Sequence, residues 1–176
     1  NQHIGSLFMD GKPYVEGVKA ILNIAKQFDD LEFVDLGGGF GIPYEKLNDQ
    51  PRLDMVELGK QLDEVFEQFV KDYGKEITFK IEPGRYVSAE CGVLLGTVTA
   101  VKHNGEDKYI GTDIGFNVLQ RPVMYDSHHD IEVYNDSDNT EDVTVVGNIC
   151  ESGDILAKHR ICPEMHVGDT MAMLDA

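Results

Sequence analysis

The stretch Asp35-Leu36-Gly37-Gly38-Gly39-Phe40-Gly41 restricts this chain more than any other, because three consecutive glycines leave the backbone bare of Cβ atoms. It follows the apolar run Leu31 to Val34 and precedes, after a polar loop, a long amphipathic segment. It therefore reads as a strand ending in a glycine turn ahead of a helix. Bare backbone lets N–H groups come close to a ligand and converge on one anion, and a phosphate would suit them. A tight turn with no ligand accounts for the glycines as well. The spacing is not that of the dinucleotide fingerprint, and the lysine and hydroxyl of a P-loop are missing.

The neighbouring segments give the glycines a setting. From Pro13 the apolar positions Tyr14, Val18, Ile21, Leu22, Ala25 and Phe28 fall at helical spacing. Met55, Leu58, Leu62, Val65, Phe66, Phe69, Val70 and Tyr73 predict a second helix, with Gly74 as its stop. Ile77 to Ile81 reads as a strand ending in Glu82-Pro83-Gly84-Arg85, and His3-Ile4-Gly5-Ser6 as the end of an earlier one. Strand, helix, strand, helix, strand predicts parallel pairing with right-handed crossovers. In β/α barrels the chemistry gathers at the C-terminal strand ends, where all three of these motifs fall.

Beyond Ser88 the texture turns to β. Val93 to Val101, Lys108 to Thr112, Ile131 to Tyr134, Val143 to Asn148 and Thr170 to Met173 are expected strands, with a hairpin turn at His103-Asn104-Gly105. The expected fold is α/β plus β. Residues 1–90 are read as the last three strands of a (β/α)8 barrel, and residues 91–176 as part of an antiparallel C-terminal β domain. The chain starts without Met in an expected strand and so reads as part of a longer protein, its other barrel strands upstream.

Composition narrows the partners. A formal charge of −17 argues against nucleic acid and anionic membranes, whose phosphates need clustered Lys and Arg. The apolar runs are far too short for a membrane span. Cys91, Cys150 and Cys162 are odd in number and widely spaced, which argues against a disulfide framework or a zinc site and makes a reducing cytoplasm the default compartment. The acids of Asn135 to Asn139 lack the order of a metal loop.

Glu82 precedes a proline, which holds it extended, and Arg85 follows at the same strand end. A phosphorylated cofactor explains the pair: backbone amides and Arg85 take the phosphate while Glu82 reaches a basic ring nitrogen. A Glu82–Arg85 salt bridge is the plainer alternative. His3 suits a ring stacked on a flat ligand or a structural histidine, and Ser6 a phosphate donor. Lys80 shares a strand face with Glu82 but lies about 7 Å deeper, so its expected role is structural. Arg121 and Tyr125, four residues apart, would share the face of a helical turn and grip a carboxylate together, with Asp113 and Asn117 in the loop before them. Cys150-Glu151-Ser152-Gly153-Asp154 follows a buried-looking strand at a glycine turn, which suits a presented thiol beside a carboxylate. Cys91 and Cys162 are expected to be packing residues, and His128-His129, facing opposite ways, are left without a role.

Taken together, His-Ile-Gly-Ser, Asp-Leu-Gly-Gly-Gly-Phe-Gly, Glu-Pro-Gly-Arg, Arg-Pro-x-x-Tyr and Cys-Glu-Ser-Gly-Asp resemble the pyridoxal-phosphate decarboxylases of the alanine racemase and ornithine decarboxylase fold. The likeness covers nearly all 176 residues and is strongest to the diaminopimelate branch. It implies pyridoxal 5'-phosphate as cofactor, with His3 stacked on its ring and Ser6, Gly37, Gly38, Gly39, Gly84 and Arg85 around its phosphate. Glu82 would keep the ring nitrogen protonated. Arg121 and Tyr125, with Arg85 sharing, would hold the carboxylate at the far end of a diamino acid substrate. Cys150 would return a proton to the α-carbon and Glu151 would bind the distal amine, both reaching into the partner subunit's site of a homodimer. The catalytic set so implied is Cys150, Glu82 and His3. The family's Schiff-base lysine lies on a strand absent from these 176 residues, so by themselves they are expected to be inactive.

Three other readings compete. A decarboxylase for ornithine, lysine, arginine or carboxynorspermidine would leave Arg121 with little to do. A non-catalytic binding homologue would be expected to have lost the cofactor residues, and a plain phosphate-binding barrel leaves Cys150 to Asp154 unexplained.

Overall fold

Tyr14, Val15, Val18, Leu22 and Ala25 recur three and four residues apart and form the buried face of helix α1 (Lys12–Ala25) in the computed structural model, which describes residues 1–176. Pro13 sits in the first turn, where its missing N–H costs no hydrogen bond. Strand β1 (Phe33–Gly38) follows, then helix α2 (Met55–Tyr73), strand β2 (Thr78–Glu82) and the single turn α3 (Gly84–Ser88). Asp54 caps α2 by accepting the Glu57 N–H at 2.9 Å, and Gly74 ends it in the left-handed conformation.

The chain divides into two compact units. One comprises Asn1–Pro43 and Pro51–Ala89; the other comprises Tyr44–Gln50 and Glu90–Ala176. In the first, β1 and β2 pair in parallel and are packed by α1 and α2 through Val34, Leu36, Leu58, Leu62 and Phe69. Phe8, Tyr14 and Phe40 form an aromatic trio with centroids 5.0–5.1 Å apart. Each fully buried side chain of this size contributes about 1.5–3 kcal/mol by leaving water.

Two of the three expected parallel strands form. The first does not: His3 to Ser6 runs beside β1 without a ladder, tied by the Gln2 N–H to the Asp35 carbonyl at 3.2 Å and by a bridge between Phe8 and Phe40. The expected turn at the glycines is also displaced, since Gly37 and Gly38 belong to β1 itself.

The second unit is a six-stranded sheet of β3 (Val93–Asn104), β4 (Asp107–Thr112), β5 (Ile131–Tyr134), β6 (Thr140–Val146), β7 (Ile155–Pro163) and β8 (Thr170–Leu174). Its order is β5-β8-β3-β4-β6-β7, and it curls so that β5 approaches β7. Val98, Ile110, Val143, Val145, Leu156, Met171 and Met173 fill its core. Four of the five strand pairings are antiparallel, but β4 and β6 run parallel, so the sheet is mixed rather than purely antiparallel. The five-residue turn α4 (Arg121–Tyr125) leaves the loop after β4.

Tyr44–Gln50 belongs to this sheet unit by its bonds. Lys46 Nζ lies 2.6 and 2.8 Å from the two oxygens of buried Asp175 and 2.9 Å from Glu90. The Leu47 N–H donates to buried Asp130 at 3.0 Å, and Tyr44 stands edge-on to His129 with ring centroids 5.2 Å apart. No helix is long and apolar enough to cross a membrane.

Candidate active site

In the first unit the glycines bring the expected motifs together. A Cβ on Gly37 would collide with the Gln2 carbonyl beside His3, one on Gly39 with the Gly5 carbonyl, and one on Gly38 with the carbonyl of Glu82, its register partner. The triplet is therefore wedged between the His3–Ser6 stretch and the end of β2, and only bare backbone fits there. The Gly37 N–H is already engaged, donating to Asp35 Oδ1 at 2.9 Å. His3, Ser6 and Glu82 are exposed on this rim, and Arg85 lies half-buried in α3, with Gly84 opening that turn into free space. Lys80 sits on the Phe33 ring with its Nζ 3.6 Å from the centroid, a structural contact.

In the sheet unit, α4 places Arg121 and Tyr125 on one face, with the guanidinium carbon 5.5 Å from the Tyr125 ring and 6.0 Å from that of Tyr44. Arg121 Nη2 donates to Ser127 Oγ at 3.1 Å, while its buried Nε has no protein acceptor, so part of the donor fork is uncommitted. His128 donates from Nε2 to Asp130 at 2.8 Å. His129 is buried and donates from Nδ1 to the Leu174 carbonyl at 2.9 Å; burial pulls its pKa down and keeps it neutral.

Cys150 and Glu151 are exposed on the turn between β6 and β7. Glu151 folds back on that turn, its Oε1 accepting from Ser152 Oγ and the Gly153 N–H at 3.2 Å each. A basin of about 850 Å³ opens beside it, lined among others by Val123, Asp126, Ser127, Glu151 and Arg160. Cys162 is a packing residue whose thiol burial pushes up to about 11, but Cys91 is exposed, against expectation. Tyr44, Lys46 and His129 were not recognisable as parts of this surroundings from sequence, because their partners lie 44 or more residues away. Asp154 was visible only as the last letter of a motif.

A family model for the C-terminal sheet domain of pyridoxal-dependent decarboxylases matches residues 21–176. The chain belongs to that decarboxylase family. It is 40% identical over 181 residues to a diaminopimelate decarboxylase of Archaeoglobus fulgidus and 36% identical over 182 residues to that of Methanothermobacter thermautotrophicus, in each case across 99% of this chain and 42% of the relative. The crystal structure of the M. jannaschii diaminopimelate decarboxylase in complex with L-lysine superposes with a TM-score of 0.88 at 32% identity, over 98% of this chain and 40% of that one. The chain thus spans about two-fifths of the length of the decarboxylases it matches.

Membership of a pyridoxal-dependent family can be tested against the residues present. A pyridoxal ring needs a carboxylate for its nitrogen and a phosphate needs a guanidinium and close backbone. The rim holds an exposed Glu82, a half-buried Arg85 on the following turn, and a glycine triplet whose neighbours leave no room for side chains. These decarboxylase residues fit the cofactor in kind.

Proposed function

We propose that the chain is the part of a pyridoxal-phosphate-dependent decarboxylase that, in the full-length enzyme, converts meso-diaminopimelate to L-lysine and CO2. Residues 1–90 correspond in this reading to the last part of a (β/α)8 barrel and residues 91–176 to part of the C-terminal β domain of a homodimer. The observation that carries the choice of substrate is Arg121: an aromatic-flanked guanidinium with a free Nε in a chain of net charge −17 is suited to a substrate carboxylate. Diaminopimelate has such a group at its non-reacting end, and simple diamino acids do not.

When bound, pyridoxal phosphate supplies a sink for the electron pair left behind as CO2 departs. Glu82 would hold a proton on the ring nitrogen, His3 would cover the ring, and Ser6, Gly37, Gly38, Gly39, Gly84 and Arg85 would fix the phosphate. Arg121 and Tyr125 hold the far carboxylate, and Glu151 the distal amine. Cys150 donates its S–H proton to the α-carbon in the place of the carboxyl group and is reprotonated from water, so each turnover takes up one proton.

The test is lysine formation from meso-diaminopimelate by the full-length enzyme and its Arg121→Ala, Cys150→Ala and Glu151→Ala variants. Lysine as product with losses of 10²-fold or about that order in the variants is expected. Wild-type rates in Arg121→Ala and Glu151→Ala would remove the basis for this substrate.

A further inference from the structure

We propose that Asp154 is the positioning residue for Cys150 and Glu151, holding their turn against the segment that leads into α4; this rests on the catalytic reading of that pair given above. Asp154 is 4% exposed, on the turn that carries both side chains. Its Oδ1 accepts the Phe116 N–H and its Oδ2 the Ile149 N–H, both at 2.7 Å. Its own N–H donates to the Glu151 carbonyl at 3.0 Å, and its carbonyl accepts the Gly147 N–H at 2.9 Å. The residue before Cys150 and the backbone of Glu151 are thereby bonded to one buried side chain and its main chain.

The surroundings are shaped for that carboxylate. A Cβ on Gly147 would strike it, and a Cβ on Gly115 would lie 2.8 Å from Oδ2, so both glycines clear its volume. Hydrogen bonds to an ionised acceptor are roughly twice as strong as neutral ones. Phe116 lies five residues before Arg121, so the same carboxylate clamps the Cys150 turn to the segment leading into α4. A second bond, from Asn148 Nδ2 to the Asp113 carbonyl at 2.9 Å, runs between the same two segments.

The chemistry of the contact gives it a signature. A carboxylate accepts on both oxygens, whereas an asparagine must turn an NH2 toward one of the two N–H donors. Glutamate adds a methylene where Gly147 already touches the group. Neither near-isostere can reproduce the arrangement, although both keep the residue polar. Misplacement by about 1 Å of a group acting at a reacting atom costs on the order of 10²-fold.

The experiment uses the full-length holoenzyme with meso-diaminopimelate. Asp154→Asn is expected to lower kcat by about 10- to 100-fold and to speed amide exchange at Phe116 and Ile149. Val143→Ala, which removes two methyl groups from a core residue that is 1% exposed, serves as the control: it is expected to lower Tm while leaving kcat within about twofold. In the unmodified enzyme the two amides are expected to exchange as slowly as strand amides despite lying in loops, a measurement that does not depend on the variant folding. Fast exchange there, unchanged exchange in Asp154→Asn, or an equal kcat loss in Val143→Ala overturns the proposal alone. Wild-type rates in both Cys150→Ala and Glu151→Ala overturn the catalytic reading beneath it and the proposal with it.

Discussion

Gly38 on β1 and Glu82 on β2 stand so close that any Cβ on Gly38 would overlap the Glu82 carbonyl oxygen. The glycine is thus demanded by the pairing of the two strands whether or not a phosphate lies above it. The carboxylate proposed to meet the cofactor ring hangs from that same contact.

Gly38→Ala is therefore expected to separate the end of β1 from β2 and to cost several kcal/mol, as overpacking against rigid backbone does. Gly74→Ala is a useful contrast: its left-handed backbone, with φ of 78°, disfavours a Cβ, but open space surrounds it. A loss of about 1 kcal/mol is expected there. Urea midpoints of the two variants check the order, and equal losses would contradict it.

Tyr14 predicts an alkaline transition. It is fully buried, its hydroxyl reaches the Gly37 carbonyl at 3.5 Å, and burial, with the charge of Asp35 second, pushes its pKa up to about 12. The folded form therefore holds its proton more tightly than the unfolded chain. Its contribution to stability is complete below pH 10 and is lost as pH rises through 10 toward 12. Tyr134 is also shifted upward by its bond to Glu132, so absorbance titration should show Tyr14 as the last tyrosine to ionise, and Tyr14→Phe should abolish that last step.

Lys46 and Asp175 predict a charge-dependent anchor. Burial lowers the Lys46 pKa, but bonds to Asp175 and Glu90 outweigh it and raise it overall. The pair is intact at neutral pH and weakens only above the usual lysine range. Lys46→Met leaves the Asp175 carboxylate, 2% exposed, without its cation, and a loss of about 3 kcal/mol is expected from the cost of an unpaired buried charge. Restoring much of that loss by adding Asp175→Asn would confirm the source; additive losses would refute it.

Arg121→Lys is expected to raise KM for meso-diaminopimelate by about tenfold or more, since an ammonium lacks the planar fork that lies beside Tyr125. Arg121→Ala should raise it further. Steady-state kinetics on the full-length enzyme decide this, and an unchanged KM in Arg121→Ala counts against a carboxylate at that position.

Local pattern made some of the chain legible and not the rest. The span of α2 could be read from its apolar spacing and Gly74, which act within a few residues. The motif residues around β1 and β2 could be read because unusual turn chemistry is local too. The strand β7 could not: His159 adopts a φ of 48°, and between the pairs Val143–Arg160 and Val145–Ala157 the single residue Thr144 faces both Lys158 and His159, so a bulge in the charged run Lys158 to Arg160 breaks the alternation. The parallel pairing of β4 with β6 and the bonds of Asp154 arise between segments that share no local signal.

The excursion of Tyr44–Gln50 into the sheet unit has a consequence for engineering. A gene segment beginning at Glu90 would encode every strand of that sheet yet omit the lysine, the amide and the aromatic ring that meet Asp175, Asp130 and His129. Excised that way, the sheet would carry a submerged Asp175 stripped of its cation and an Asp130 left with His128 alone. Shuffling this module into another protein thus requires transplanting a seven-residue outpost from the middle of its neighbour.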